Sequence, residues 1–243
     1  AVLNSLYELY NSKRPWQPDD LAKKALDDLF DETSSGESRN KFVLREHTVE
    51  EISRLDKSEY VRYLRYRYAY EVFPVDRVVD DYPPAIQIEP TSVCNYRCVF
   101  CYQTDPRLSK KSNGHMGSMA LELFKNLIDQ ISGRVEAVTL ASRGEPTLNK
   151  NLPKMLDYMG DKFLAAKMNT NASLLNETLA HSILDSGLQT IVFSADAASD
   201  PLYSMLRVHG NFDKVFENIN NFCEIKEKYY PHSKIITRVS GVS

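Results

Sequence analysis

From Ala85 onward, short runs of apolar and β-branched residues alternate with longer stretches that are apolar on one face only. The runs Ala85–Glu89, Ala137–Ala141, Ala165–Asn169, Thr190–Ser194 and Lys234–Val239 predict five strands. Between them, Met119–Ile131, Leu152–Met159, Asn176–Ser186 and Phe212–Tyr229 have helical spacing. Strands separated by helices of this length predict right-handed crossovers and a parallel sheet, hence an α/β fold. Ser173 or Asn176 suits the N-cap of the third helix, and Gly187 is placed to stop it.

Before Pro83-Pro84 the pattern is different. Leu21–Phe30 has helical spacing, Asp31–Asn40 is polar enough to be a loop, and Val49–Val72 predicts one or two helices. The expected division is therefore a helical N-terminal extension over 1–84 and an α/β core over 85–243. In the second helical stretch Tyr60, Tyr63, Tyr66, Tyr68 and Tyr70 alternate with Arg62, Arg65 and Arg67. Such a stripe can stack bases beside arginines, or it can pack tyrosines onto the next domain with the arginines solvated. A formal net charge of −3 favours packing, and no nucleic-acid partner is expected.

At 243 residues and 42% hydrophobic, the chain can bury one sizeable core with an appendage. No apolar run reaches the roughly 18–20 residues that span a bilayer, and no signal segment opens the sequence. The expectation is a soluble, cytoplasmic protein without a membrane partner. Three of the four cysteines fall within eight residues, a spacing that points to metal or redox chemistry rather than disulfides. Cys223 stands alone in an amphipathic stretch and reads as a small buried hydrophobe.

Parallel sheets gather their chemistry at the carboxyl ends of their strands. The first strand leads into Cys94-Asn95-Tyr96-Arg97-Cys98-Val99-Phe100-Cys101. Three thiolates on one loop can hold an iron–sulfur cluster and leave one iron with an open site. The competing reading is a zinc site completed by a residue such as His115. The second strand leads into Ser142-Arg143-Gly144-Glu145-Pro146, where exposed carbonyls and a carboxylate suit an ammonium group. The third ends in Asn169-Thr170-Asn171, and tolerance of left-handed backbone is itself a sufficient structural reason for Asn171. The fourth ends in Ser194-Ala195-Asp196, with Arg207 and the run Gly210-Asn211-Phe212-Asp213-Lys214-Val215 beyond it. Asp196 also fits a cap or turn, and Arg207 a surface arginine at a helix start.

The cysteine spacing, Cys-x3-Cys-x2-Cys with aromatic Phe100 before the last cysteine, resembles the signature of the radical S-adenosylmethionine (radical SAM) superfamily. The likeness runs from about Ile86 to the end of the sequence. It implies a [4Fe-4S] cluster on Cys94, Cys98 and Cys101, with S-adenosylmethionine chelating the open iron. Phe100 would lie near the adenine. Gly144 and Glu145 match the motif that receives the methionyl amine, although Arg143 replaces the family's first glycine. Asn171 is similar to a cofactor neighbour in many relatives. Ser194 would contact ribose or carboxylate, Arg207 would pair with the methionyl carboxylate, and Arg238 is placed either against the cofactor or in a structural ion pair. The run from Ser194 to Val215 resembles the subgroup that often carries a SPASM or twitch domain.

The fold implied is a partial (β/α) barrel, a partial TIM barrel with five readable strands of the usual six. The core is thus expected to be truncated after strand five, or completed by a second chain or a missing C-terminal domain. The implied activity is reductive cleavage of S-adenosylmethionine to a 5′-deoxyadenosyl radical that takes hydrogen from a peptide, protein or carbohydrate. An external electron donor such as flavodoxin or ferredoxin would be needed. A zinc-binding interaction module and a cluster-binding, non-catalytic fragment are the alternatives.

Overall fold

The computed structural model describes residues 1–17, 19–31 and 40–241; residues 32–39, within the expected loop Asp31–Asn40, lie outside the described residues. The chain forms two compact units: Ala1–Ala85 with Arg134–Glu136, and Ile86–Gly133 with Ala137 onward.

The first unit carries helices α1 (Val2–Tyr10), α2 (Leu21–Phe30), α3 (Glu46–Ile52) and α4 (Tyr60–Asp76). The stretch expected as one or two helices is thus two, α3 and α4. They are separated by a short 3₁₀ turn whose Asp56 and Glu59 cap each other's backbone. Asp20 caps α2 by accepting from Ala22 N at 3.0 Å, and Arg65 of α4 donates to the same carboxylate at 3.0 and 2.6 Å. Leu6, Leu26, Ile52, Tyr63 and Leu64 form the buried centre. Tyr60, Tyr63 and Tyr68 are buried and Tyr70 is half-exposed, and each arginine has a carboxylate partner. Arg62 pairs with Glu136, Arg65 with Asp20, and Arg67 is itself buried against Glu71. A guanidinium packed among tyrosine rings needs a carboxylate to offset its lost hydration.

The second unit is built on strands β1 (Ala85–Ile88), β2 (Ala137–Leu140), β3 (Ala165–Thr170), β4 (Thr190–Ser194) and β5 (Ile236–Ser240). They lie in sequence order in one parallel sheet of a partial barrel. Helices α5 (Pro106–Ser109) and α6 (Leu121–Ile131) follow β1, α7 (Leu152–Met159) follows β2, and α8 (Glu177–Leu184) follows β3. Two helices, α9 (Asp200–Leu206) and α10 (Phe212–Tyr229), separate β4 from β5.

Alternation along β3 explains the layering. Ala166, Met168 and Thr170 are buried, whereas Ala165, Lys167 and Asn169 are partly exposed. The buried face meets the apolar stripes of the helices; Phe193 of β4, for example, packs edge-on to Phe222 of α10 at 5.6 Å. Asn176 caps α8 by accepting from Leu179 N. Gly187, expected as the stop of this helix, has another duty. The helix already ends at Leu184, and a Cβ on Gly187 would stand 1.7 Å from the carbonyl oxygen of Gly160.

Candidate functional site

The loop from Cys94 to Cys101 has no regular structure of its own, so other segments hold its shape. Arg97 N donates to Val208 O and Val99 N to Leu206 O, each at 3.0 Å, which ties the loop to the end of α9. The Arg97 guanidinium turns back onto the carbonyls of Cys94 and Tyr96 at 2.8 and 2.7 Å. Tyr96 and Cys98 are buried; Cys94 and Cys101 are partly exposed. All four cysteines are free thiols.

Burial pushes the Cys94 and Cys98 thiols up from their ordinary range. Cys94 senses Glu145, Cys98 and Cys101, while Cys98 senses Arg207, Cys101 and Asp196. The charged neighbours of Cys223 are Lys226 and Glu227 instead. Three strand-end motifs therefore share one electrostatic environment that Cys223 does not enter. Thiolates in so dry a place need a cation close by, and cluster iron supplies one. Among the described residues no three His, Cys, Asp or Glu side chains are grouped to hold a single metal ion. A cluster presents three separate iron corners, so its ligands need not converge on one point. The donor set fits a cluster.

Gly144 is required here by close approach. A Cβ at this position would lie 1.8 Å from Thr91 O and 2.8 Å from Val93 O. Glu145 N donates to Val93 O at 2.9 Å, so the turn after β2 is pressed against the chain entering Cys94. The buried amide of Gln103 bridges the carbonyls of Ser92 and Arg143 at 2.7 and 2.5 Å, leaving its own Oε1 without a partner. Arg143 forms a bidentate pair with Glu89 at the end of β1, at 3.1 and 2.9 Å. This pair shows how an arginine is accommodated at the position before Gly144.

Glu145 is 3% exposed. Its Oε1 accepts from Thr147 N at 3.2 Å, Thr147 Oγ1 at 2.7 Å and Thr170 Oγ1 at 2.6 Å; Oε2 accepts from Asn171 N at 2.7 Å. Burial nevertheless raises its pKa. The carboxylate thus joins the ends of β2 and β3, and only Oε2 retains substantial acceptor capacity. Asn171 does not carry the left-handed backbone; Ala172 does, at φ 58°. Asn171 instead donates to Asn95 Oδ1 at 3.0 Å and accepts from Ser173 N and Oγ, linking the cysteine loop to β3. Asn218 of α10 holds this turn by donating to the carbonyls of Ala172 and Ser173.

Arg207 is neither on the surface nor at a helix start. It is 8% exposed, follows the last turn of α9, and pairs with Asp196, whose backbone is left-handed at φ 61°. Its guanidinium lies 5.5 Å from the centre of the Phe100 ring. Nε and Nη2 are directed to Asp196, which leaves Nη1 able to donate elsewhere. Ser194, at the end of β4, registers with Ser240. Arg238 registers with Val192, two residues before the end of β5, and so shares the face of Ser194 at a lower level of the sheet.

Reading the sequence alone missed Gln103, Thr170, Asn95, Asn218 and the Asp196 partnership. Their signal is tertiary, because each bonds to a segment distant in sequence. The Asn169 Oδ1 is likewise a buried acceptor with no partner.

A family model described as the Radical SAM superfamily matches residues 88–235. Fe-coproporphyrin III synthase of Methanosarcina barkeri is 28% identical over 141 residues, 58% of this chain and 34% of that protein. Mycofactocin maturase MftC of Mycolicibacterium smegmatis is 25% identical over 159 residues, 62% of this chain and 39% of the maturase. The chain therefore spans well under half the length of either relative. Streptococcus suis SuiB superimposes with a TM-score of 0.53 at 14% identity, over 96% of this chain and 51% of that one, a likeness of fold. Members of the superfamily use a [4Fe-4S] cluster and S-adenosylmethionine. On the match over residues 88–235 and the three thiols on the loop after β1, this chain belongs to the radical SAM superfamily.

Proposed function

We propose that Cys94, Cys98 and Cys101 hold a [4Fe-4S] cluster and that the surrounding strand ends bind S-adenosylmethionine, as the cofactor half of a radical enzyme. When bound, the two groups supply one-electron cleavage of the sulfonium to methionine and a 5′-deoxyadenosyl radical that abstracts hydrogen from substrate. The observation that carries the reading is the convergence of Gly144-Glu145, Asn171 and Arg207 on the cysteine loop.

The chain's own residues divide the work. Carbonyls beside Gly144 and the spare capacity of Glu145 Oε2 receive the methionyl ammonium. The Nη1 side of Arg207 pairs with the methionyl carboxylate, while Asp196 holds the guanidinium in place. Phe100, backed by Arg207, offers a ring to the adenine. Ser194 meets the ribose or carboxylate, with Asn171 as a cofactor neighbour. Arg238 lies lower on the same face, where it either meets the cofactor or serves a structural ion pair.

Residues 1–84 form the helical extension in this reading and 85–243 the radical SAM core. In this reading, supported by the likeness to the SPASM-bearing subgroup, the substrate is a peptide, protein or carbohydrate, and the protein works in the cytoplasm with an external flavodoxin- or ferredoxin-type donor. The relatives themselves are named for different substrates: a coproporphyrin synthase, a mycofactocin maturase and a GTP 3′,8-cyclase.

The test is anaerobic reconstitution with iron and sulfide. The expected product is a brown protein with about four irons that is bleached by air and forms 5′-deoxyadenosine from S-adenosylmethionine under strong reductant. Alanine at Cys94, Cys98 or Cys101 should abolish stable cluster binding, and Cys223→Ala should leave iron content unchanged. A colourless protein with one tightly held zinc would overturn the reading.

A further inference from the structure

The segment that follows Cys101 reverses the charge of the molecule. The whole chain carries −3, yet from Thr91 to Ser118 four basic residues, Arg97, Arg107, Lys110 and Lys111, face the single acid Asp105. Arg107 is paired with Asp105. Lys110 and Lys111 are exposed and have no carboxylate partner among the described residues. Apolar surface lies alongside: Val99 is 56% exposed and Tyr102 49%.

The chain is so folded that this basic turn stays beside the cysteines. At one end, Thr104 N and Oγ1 donate to Cys101 O at 3.0 and 2.8 Å. At the other, Ser92 N donates to Gly117 O at 2.9 Å, Ser92 Oγ donates to His115 O at 3.0 Å, and Thr91 bridges Ser118. Thr91 and Ser92 lead directly into Cys94. Inside the turn, Asn113 Nδ2 donates to Arg107 O at 3.0 Å. The two lysines are therefore carried on a short excursion pinned at both ends to the loop that bears the thiols.

We propose that the face running from Val99 and Tyr102 to Lys110 and Lys111 is the docking surface for an acidic one-electron carrier protein; this rests on the cluster reading above. An apolar centre beside a charged margin is the usual make-up of a transient interface. Charge complementarity speeds encounter and sets orientation, while adding less to final affinity. A carrier that must meet the molecule, hand over one electron and leave needs that balance. In the step itself the reduced carrier loses one electron and the oxidised cluster gains it, with no bond made or broken. The face is pinned at both ends to the loop that bears the thiols, so a carrier docked here meets the molecule beside the cluster ligands.

The experiment measures anaerobic reduction of the reconstituted chain by rapid-mixing absorbance. One arm uses a reduced, strongly acidic flavodoxin and the other reduced methyl viologen, a small cation. Lys110→Glu and Lys111→Glu are compared with Lys154→Glu, an exposed charge-matched change on α7. The flavodoxin rate of the unaltered protein should fall as salt rises. Each of the first two variants should slow that rate roughly three- to tenfold at low ionic strength, Lys154→Glu should not, and methyl viologen should reduce all of them alike. A flavodoxin rate that ignores salt and both substitutions would overturn the proposal. So would equal slowing by Lys154→Glu, or tight binding of nucleic acid at the two lysines with flavodoxin reduction unchanged. Failure of both reductants on the unaltered protein would instead remove the cluster reading on which the proposal stands.

Discussion

Close packing makes the most specific demands on single residues. At Gly144 a methyl group would enter the carbonyl oxygen of Thr91, in the chain that leads to Cys94. Gly144→Ala should therefore cost about 1–3 kcal/mol in urea unfolding and lower iron uptake on reconstitution. Gly117→Ala meets no atom within 4 Å and serves as the control. Arg207 calls for a different design. Arg207→Ala alone removes the guanidinium from a buried carboxylate, a loss of roughly 3–5 kcal/mol that would obscure any effect on the cofactor. Asp196→Ala with Arg207→Ala removes both charges and should recover much of that stability. If Arg207 binds the methionyl carboxylate, the double variant should still bind S-adenosylmethionine about ten- to a hundredfold more weakly in calorimetry. Unchanged affinity would leave Arg207 with a structural role only.

At the scale of elements, caps and ion pairs hold the helices in place. Asp20 both caps α2 and receives Arg65 from α4, and the hydrogen bond from Arg65 holds its carboxyl below the usual range. With the folded pKa below the unfolded one, the pair stabilises the fold above about pH 3.9 and is lost as pH falls through the folded value. Asp20→Asn keeps a capping oxygen but loses the charge. The urea midpoint of this variant should fall less steeply than that of the unaltered protein between about pH 4 and pH 2.5. At neutral pH the difference should be about 1 kcal/mol or less, since Arg65 is half exposed. Helical periodicity reads such elements well: Leu21–Phe30, Leu152–Met159 and Phe212–Tyr229 have the bounds expected from their spacing. Spacing did not identify α1 or α9, neither of which is among the elements expected from the sequence.

For the whole molecule, a group that binds only the folded state adds to its stability by mass action. Loading the cluster should raise the thermal midpoint followed by circular dichroism under anaerobic conditions, and chelation of iron should reverse the gain. Cys98→Ala should show the same midpoint before and after reconstitution. A midpoint indifferent to iron in the unaltered protein would mean that the three thiols hold no group that spans them.

The order of strands and helices, the parallel sheet and the clustering of chemistry at strand ends were all determined by local sequence. A period of two or 3.6 is written in neighbouring residues, and a βαβ chain has few ways to close. The three cysteines were equally plain, since a tight loop brings close spacing together whatever surrounds it. Tertiary structure alone decided which groups those thiols meet. It set Asp196 against Arg207, committed three acceptor contacts of Glu145 Oε1 to threonines, gave the left-handed backbone to Ala172 rather than Asn171, and buried Arg67 among tyrosines. The Asp196–Arg207 pair and the Glu145–Thr170 bond join residues 11 and 25 positions apart in a space where water is scarce. An unpaired charge or polar group is costly there, so partners are chosen by proximity in the fold and leave no pattern along the chain.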